Sequence, residues 1–481
     1  MKPDTSNRTF RRLTTLLTPG PAAWAGRNLW PLMRIVTDLR LARKQLTDVW
    51  AARDWAPPGN LLDVLQHDYD VRIVPHRAQH PGLIAWLLHV ILRALGIVFV
   101  VNVAPGMGHN TVELDYFIRL LRSGKIPKKR YVLLRMPSPF HNDTLALYRR
   151  QFWLASNSVL LNNVLAPVIA RYPDLRLSVG LSRLKWHLRD DGTCVPPPPG
   201  QSFFYQTDKN ENRAEWMRYY KLRVETRALH PLKDGLPLAP GLQQLLGKDQ
   251  TKLALVHVKY HVGNATARPT DPLTYLPAIR WLQDQGFKVV MIGREAMPQE
   301  FRSLGVLDYA NSPLASYRSD LELVAHASVV ITAGSGIAMM PDCMGVPLVY
   351  LNSWHICMPL TSGRCIIVPT LVTDRVTGRL LTVAEQSNLY WSLEDKGDEV
   401  FPIHEYEPRD ASADEVLEAL KEALTLNPSD ELSDEQKNYR HQTMGEDERL
   451  VDARVSQYFI EKQDQILEDE TCLDGVKQSG R

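Results

Sequence analysis

Val329 to Asn352 reads VVITAGSGIAMMPDCMGVPLVYLN. Val329 to Thr332 is an apolar, β-branched run of strand length, and it breaks into Ala333-Gly334-Ser335-Gly336. One short helical segment follows, after which Leu348 to Leu351 restarts as a second apolar strand. Strand, glycine turn, helix, strand is half of a doubly wound sheet. In such a turn Gly334 and Gly336 permit close backbone approach, Ser335 can cap the helix, and helix N–H groups favour a phosphate.

Working outward, Leu253 to Val258 reads as a strand, Pro272 to Asp284 as a helix closed by Gly286, and Phe287 to Gly293 as a strand. A short strand ends at Asp308 and Tyr309, and Ser319 to Ala327 is helical. Five strands alternating with helices predict a parallel sheet.

The first half shows the same alternation. Gly82 to Val103 is apolar over a bilayer-spanning length, but His89 and Arg93 interrupt it, so it parses as a helix ended by Gly96 and a strand from Ile97. PGMGH then leads into a helix over Val112 to Arg122; Tyr131 to Met136 reads as a second strand, Thr144 to Asn163 as helical, and Leu175 to Val179 as a third strand. VPPPPG after Cys194 is a loop, Arg213 to Arg227 a charged aromatic helix, and a boundary falls within Pro231 to Asp249.

Two such sheets in series predict an α/β protein of the GT-B kind: two Rossmann-like, doubly wound domains facing across a cleft, with helical N- and C-terminal extensions. The expected divisions are a basic helical extension over 1–80, an N-terminal Rossmann-like domain over 81–240, a C-terminal Rossmann-like domain over 241–430 and acidic helices over 431–481.

Composition sets bounds. The chain has 481 residues, 44% hydrophobic and 23% charged, enough for two cores. A net charge of +2, with no basic run interleaved with aromatics, argues against nucleic acid. Five scattered cysteines offer no disulfide framework and fit a reducing cytosol. Met1 to Trp50 is rich in Arg and carries Leu, Ile and Trp at helical spacing from Leu29. That segment either packs on the first domain or lies on an anionic membrane surface. No cleavable signal is apparent, so the expected location is cytoplasmic, peripheral on a membrane at most.

Ligands of open parallel sheets bind beyond the carboxyl ends of the strands. There the chain offers Gly334, Ser335 and Gly336; then Lys259, His261 and Arg268 in KYHVGNATARPTD; then Arg294 with Glu295, as contacts to a nucleobase, ribose or phosphate or as a surface ion pair. In APGMGHNTVELD, Gly106 and Gly108 make a tight turn, His109 and Glu113 fall four apart, and Asp115 adds a second acid. His109 suits a general base with Glu113 holding its tautomer; equally, it suits a helix cap.

These residues carry a resemblance. GMGHNTVELDYFIR, VHVKY with Arg268 and Asp271 downstream, GFKVVMIGRE and SDLELVAHASVVITAGSGIAMMPDCMGVPLVYLN together resemble the bacterial glycosyltransferases of polysaccharide gene clusters. More distantly the chain is similar to other GT-B transferases and to fucosyltransferase-like enzymes. The match runs from about Val98 to Val383, and VSQYFIEKQDQIL resembles the family's closing helix. Lys259-Tyr260 stands where that family has Arg-Asp. The resemblance implies sugar transfer from a nucleotide-sugar donor, its diphosphate at Ser335, Gly336 and Arg268, to a glycan or lipid-linked saccharide near His109. It implies no metal and no cofactor beyond the co-substrate. Asp68-Tyr69-Asp70 resembles a metal-binding Asp-x-Asp but follows no hydrophobic strand.

Three other readings stay open. GMGHNT with Arg135 could serve an NADP-dependent oxidoreductase, although Thr111 stands in place of the third glycine. A nucleotide-sugar epimerase would use the AGSG site without an acceptor. A GT-B scaffold could also bind glycan without catalysis.

Overall fold

The computed structural model describes, apart from a few isolated positions, residues 83–101, 107–134, 139–156, 172–179, 209–247, 252–259, 270–353, 362–386, 405–444 and 452–467. The basic segment before Trp50, Asp68 to Asp70, Gly106, Arg135, His261 and Arg268 lie outside these residues. The chain divides into two compact units, one of Met1–Val103 with Pro127–Thr207 and one of Ala104–Ile126 with Asp208–Arg481.

In the first unit, β1 (Ile97–Val101), β2 (Arg130–Leu134), β3 (Leu154–Ser156) and β4 (Arg176–Ser178) form a parallel sheet in the order β3-β2-β1-β4. That is the strand order of a Rossmann half. Helix Leu83–Ala94 leads into β1 through Gly96, at φ +64°, a left-handed turn that glycine takes without strain. Leu88 and Leu92 pack from this helix onto a core of Ile97, Phe99, Val132, Val168 and Leu175. The helix expected from Thr144 stops early: Pro139–Tyr148 is helical, but the Trp153 N–H donates to the Tyr131 carbonyl at 2.9 Å and draws the next residues into the sheet as β3. Here edge pairing overrides local pattern. A two-residue antiparallel pair, β5 (His187–Leu188) and β6 (Cys194–Val195), completes the described strands of this unit.

The second unit is built on a seven-stranded parallel sheet in the order β15-β12-β11-β10-β7-β8-β9. Its strands are β7 (Leu253–His257), β8 (Lys288–Met291), β9 (Leu307–Asp308), β10 (Val329–Ala333), β11 (Leu348–Ser353), β12 (Cys365–Pro369) and β15 (Arg454–Val455). β13 (Leu371–Asp374) and β14 (Tyr406–Arg409) form a separate antiparallel pair. β7, β10, β11 and β12 are buried at every position, as strands covered on both faces must be. Chain order runs outward from β7 through β8 and β9, then returns to β10 on the other side, so the switch point lies between β7 and β10.

One expectation gives way here. The boundary does not fall only within 231–249, because helix Met107–Arg122 belongs to the second unit along with helix Lys209–Glu225. The region beyond 430, expected as acidic helices, also contributes to the sheet and core of this unit. Val455 extends the sheet through Ile367, Phe459 and Ile460 enter the main core, and the Gln436 amide donates to the Val455 carbonyl at 2.8 Å. A two-residue strand is too short to show any period.

Candidate active site

The candidate site forms at the switch point of the second unit. Beyond β10, Ser335 is extended (φ −146°, ψ 165°), and its hydroxyl accepts from the Ile337 N–H at 3.2 Å, capping a short turn over Gly336–Ala338 that continues as helix Met339–Met344. The capping role expected of Ser335 is thus present. Gly334 makes no forced contact, since a β-carbon there would stand 3.6 Å from the Tyr350 hydroxyl. Gly336 is different: a β-carbon there would lie 2.8 Å from the Gly108 nitrogen. Two helix N-termini therefore meet backbone to backbone, that of Met107–Arg122 and that of the turn after β10. The first runs for 16 residues, long enough for a developed dipole with its positive end at this junction.

His257 ends β7 across the switch point and is 3% exposed. Its Nδ1 lies 2.9 Å from Thr332 Oγ1 and 3.5 Å from Ser335 Oγ, and its Nε2 is 3.4 Å from Glu295 Oε2. Glu295 also accepts from the Arg294 N–H at 3.0 Å. Burial works to raise the Glu295 pKa, but the His257 hydrogen bond and charge, with backbone N–H groups, outweigh it and bring it down to about 2. Gly293, at φ +107°, has no room for a side chain, because a β-carbon would meet His257 Cδ2 at 2.5 Å. Glu295 is therefore turned inward to His257, while Arg294 is exposed. Sequence reading missed His257, since a histidine closing an apolar strand looks like core. Its one signal was the glycine at the end of the neighbouring strand.

Lys259 is half-buried just past β7, and its carbonyl accepts from the Thr270 N–H at 2.8 Å, so the described residues on either side of His261 and Arg268 are tied together. Asp271 caps the next turn, accepting from the Leu273 N–H at 2.9 Å.

On helix Met107–Arg122, His109 is half-buried with its ring 6.4 Å from that of Trp216, and Glu113, one turn on, is fully buried. Thr111 and Asn110 hold the helix start to Tyr317, at 2.9 and 3.3 Å. Asp115, expected on the acceptor side, instead lies in an internal network. It accepts from Arg119 Nε at 2.6 Å and from the Tyr219 hydroxyl at 2.9 Å, while Arg119 reaches the Thr226 carbonyl at 2.8 Å. The i, i+4 spacing to Arg119 accounts for this, since it turns the carboxylate toward a buried guanidinium. Burial, with Asp115 beside it, pushes the Tyr219 phenol well above its ordinary range. Nearby Arg223 pairs with both the carboxylate and the carbonyl of Asp342, whose other oxygen accepts from the Ser362 N–H. Among the described residues no group of three or more His, Cys, Asp and Glu is placed to hold a metal ion. No described helix is long and apolar enough to cross a membrane.

No family model matches the chain, and no curated protein matches it. Solved structures do. A glycosyl transferase family 9 structure from Veillonella parvula is similar at 11% identity and TM-score 0.37, over 69% of this chain and 98% of that one. The E. coli heptosyltransferase WaaC with ADP is similar at 10% identity and TM-score 0.32, over 63% and 100%. The Methanocaldococcus jannaschii UDP-GlcNAc 2-epimerase with UDP-GlcNAc and UDP is similar at 10% identity and TM-score 0.23, over 57% and 88%.

Proposed function

We propose that this chain is a metal-independent glycosyltransferase of the GT-B kind, moving a sugar from a nucleotide-sugar donor to a glycan or lipid-linked saccharide in surface polysaccharide synthesis. The observation that carries the reading is the junction of Gly108 and Gly336, where a long helix N-terminus meets the turn after β10 beyond the switch point. Backbone dipoles converging there favour an anion, and Lys259 stands at the end of the adjacent strand. The helix after Ser335 is itself only 6 residues long, so most of that field comes from the longer helix.

In this reading the donor diphosphate sits against Ser335 and Gly336, with Lys259, His261 and Arg268 as cationic partners and Arg294 toward the nucleoside. Their charge stabilises the departing nucleoside diphosphate, which gains negative charge as the glycosidic bond to it breaks. His109 is the candidate base that takes the acceptor hydroxyl proton, with Glu113 one turn away on the same helix.

A thermal-shift screen against nucleoside diphosphates and nucleotide sugars tests the site, because a ligand of the folded state raises the midpoint with concentration. Product analysis with the stabilising donor then separates the chemistry. A transferase releases nucleoside diphosphate and lengthens a glycan, an epimerase isomerises the donor, and a binding scaffold does neither.

A further inference from the structure

Helix Leu83–Ala94 in the first unit is apolar around nearly its whole circumference, yet only one side is covered. Leu88 and Leu92 face the core, whereas Trp86, Leu87, Val90, Ile91 and Leu95 are each more than 40% exposed. At 3.6 residues per turn these five fall on one continuous half of the helix. A helix apolar on both sides is ordinarily buried on both, and an exposed apolar stripe of this size marks a binding surface.

Past the end of the helix, Arg130 links it to further exposed apolar side chains. The Arg130 guanidinium donates to the Leu95 carbonyl at 3.1 Å and lies 5.7 Å above the Trp153 ring, with Trp153 58% exposed and Leu154 beside it at 37%. Around this apolar surface the charge is mainly positive. Arg93, with its side chain 73% exposed, flanks the helix 3.9 Å from the Asp174 carboxylate, and Lys128, Lys129 and Arg130 are exposed at the start of β2. Neither 83–103 nor 127–134 contains an Asp or Glu. Asp174, which meets His89 at 2.9 Å, is the acid that borders the helix among the described contacts.

We infer that this face docks on an anionic lipid bilayer. Tryptophan at the rim of an apolar stripe suits the interface between headgroups and acyl chains, and the long side chains of Lys and Arg reach the phosphate layer while their stems stay in apolar surroundings. The mainly basic fringe, with Lys128, Lys129 and Arg130 in a row, favours a lipid surface over a second copy of this chain, which would bring the same cations face to face.

The test is cosedimentation of the full chain with vesicles of phosphatidylethanolamine and phosphatidylglycerol, against vesicles of phosphatidylcholine alone. The expected result is binding to the anionic vesicles, weakened at least about tenfold by Trp86→Gln with Ile91→Gln, and weakened about tenfold by Lys128→Glu with Lys129→Glu. All four positions are exposed, so the variants should keep the wild-type unfolding midpoint. Wild-type affinity in both variants would overturn the inference, because binding would then reside elsewhere, as in the basic segment before Trp50. So would absence of vesicle binding. A dimer in ultracentrifugation that Trp86→Gln with Ile91→Gln dissociates, without vesicle binding, would assign the face to a second copy instead.

Discussion

Gly108 and Gly336 exclude each other's side chains: a β-carbon on either would lie 2.8 Å from a backbone atom of the other. Backbone cannot yield as a flexible side chain can, so Gly336→Ala should destabilise the protein by about 1–3 kcal/mol through overpacking. It should also abolish stabilisation by the nucleoside diphosphate. Gly334→Ala is the paired control, since its new methyl would make ordinary contact with Tyr350. The unfolding midpoint of that variant should stay near wild type. If Gly336→Ala unfolds at the wild-type midpoint, the helix start and the turn do not meet as described.

Much of this site was legible in the sequence, for a reason that also marks what was not. Apolar runs such as Val329 to Thr332 announce themselves because strands buried on both faces have almost no polar positions. Glycine turns after them are local features as well. The partner of Gly336 was not readable, because Gly108 lies more than two hundred positions earlier and looked like the loop of a different domain. Asp115 misled for a similar reason. A carboxylate two residues from Glu113 looks available until Tyr219 and Arg119 close over it. β15 was invisible, since two residues carry no periodicity and only the exposed edge of β12 defines it.

His257 should act as a positioning residue for the turn at Ser335. It touches Thr332 and Ser335 with one ring nitrogen and Glu295 with the other. Asn places an amide near the first nitrogen and Gln near the second, so the two variants divide the contacts. Losing the Thr332 and Ser335 contacts in His257→Gln should weaken nucleoside diphosphate binding by roughly tenfold, about 1.4 kcal/mol, with His257→Asn closer to wild type. The measurement is titration calorimetry beside turnover. Equal affinity in both variants would leave His257 a core residue only.

Arg223 and Asp342 bind helix Lys209–Glu225 to the helix that follows the turn. The guanidinium is buried; burial opposes its charge, but Asp342 more than offsets this and holds its pKa above the ordinary value. Arg223→Met strands the Asp342 carboxylate in the interior and should cost about 3–5 kcal/mol, read from urea unfolding. Adding Asp342→Leu should recover part of that loss. Recovery stays incomplete because the Ser362 N–H, which donates to Asp342 at 2.8 Å, is then left without its acceptor.

Acid should find Glu295. Its folded-state pKa is about 2, below the ordinary 4.5, although burial alone would raise it. A depressed folded value means the carboxylate contributes stability that is fully present above about pH 4.5 and is lost as the pH falls through about 2. Glu295→Gln should therefore flatten the fall in unfolding midpoint across that window while lowering stability at neutral pH. Asp410 works with the opposite sign. Burial raises its pKa, against a hydrogen bond from the Asp271 N–H, so its contribution is present below about 3.8 and lost as the pH rises through the raised value. Asp410→Asn, which can still accept from Asp271, should gain stability at neutral pH and make the acid limb steeper. Unfolding midpoints from pH 2 to pH 7 in both variants separate the two carboxylates, and a Glu295→Gln curve parallel to wild type would show that His257 does not hold this charge.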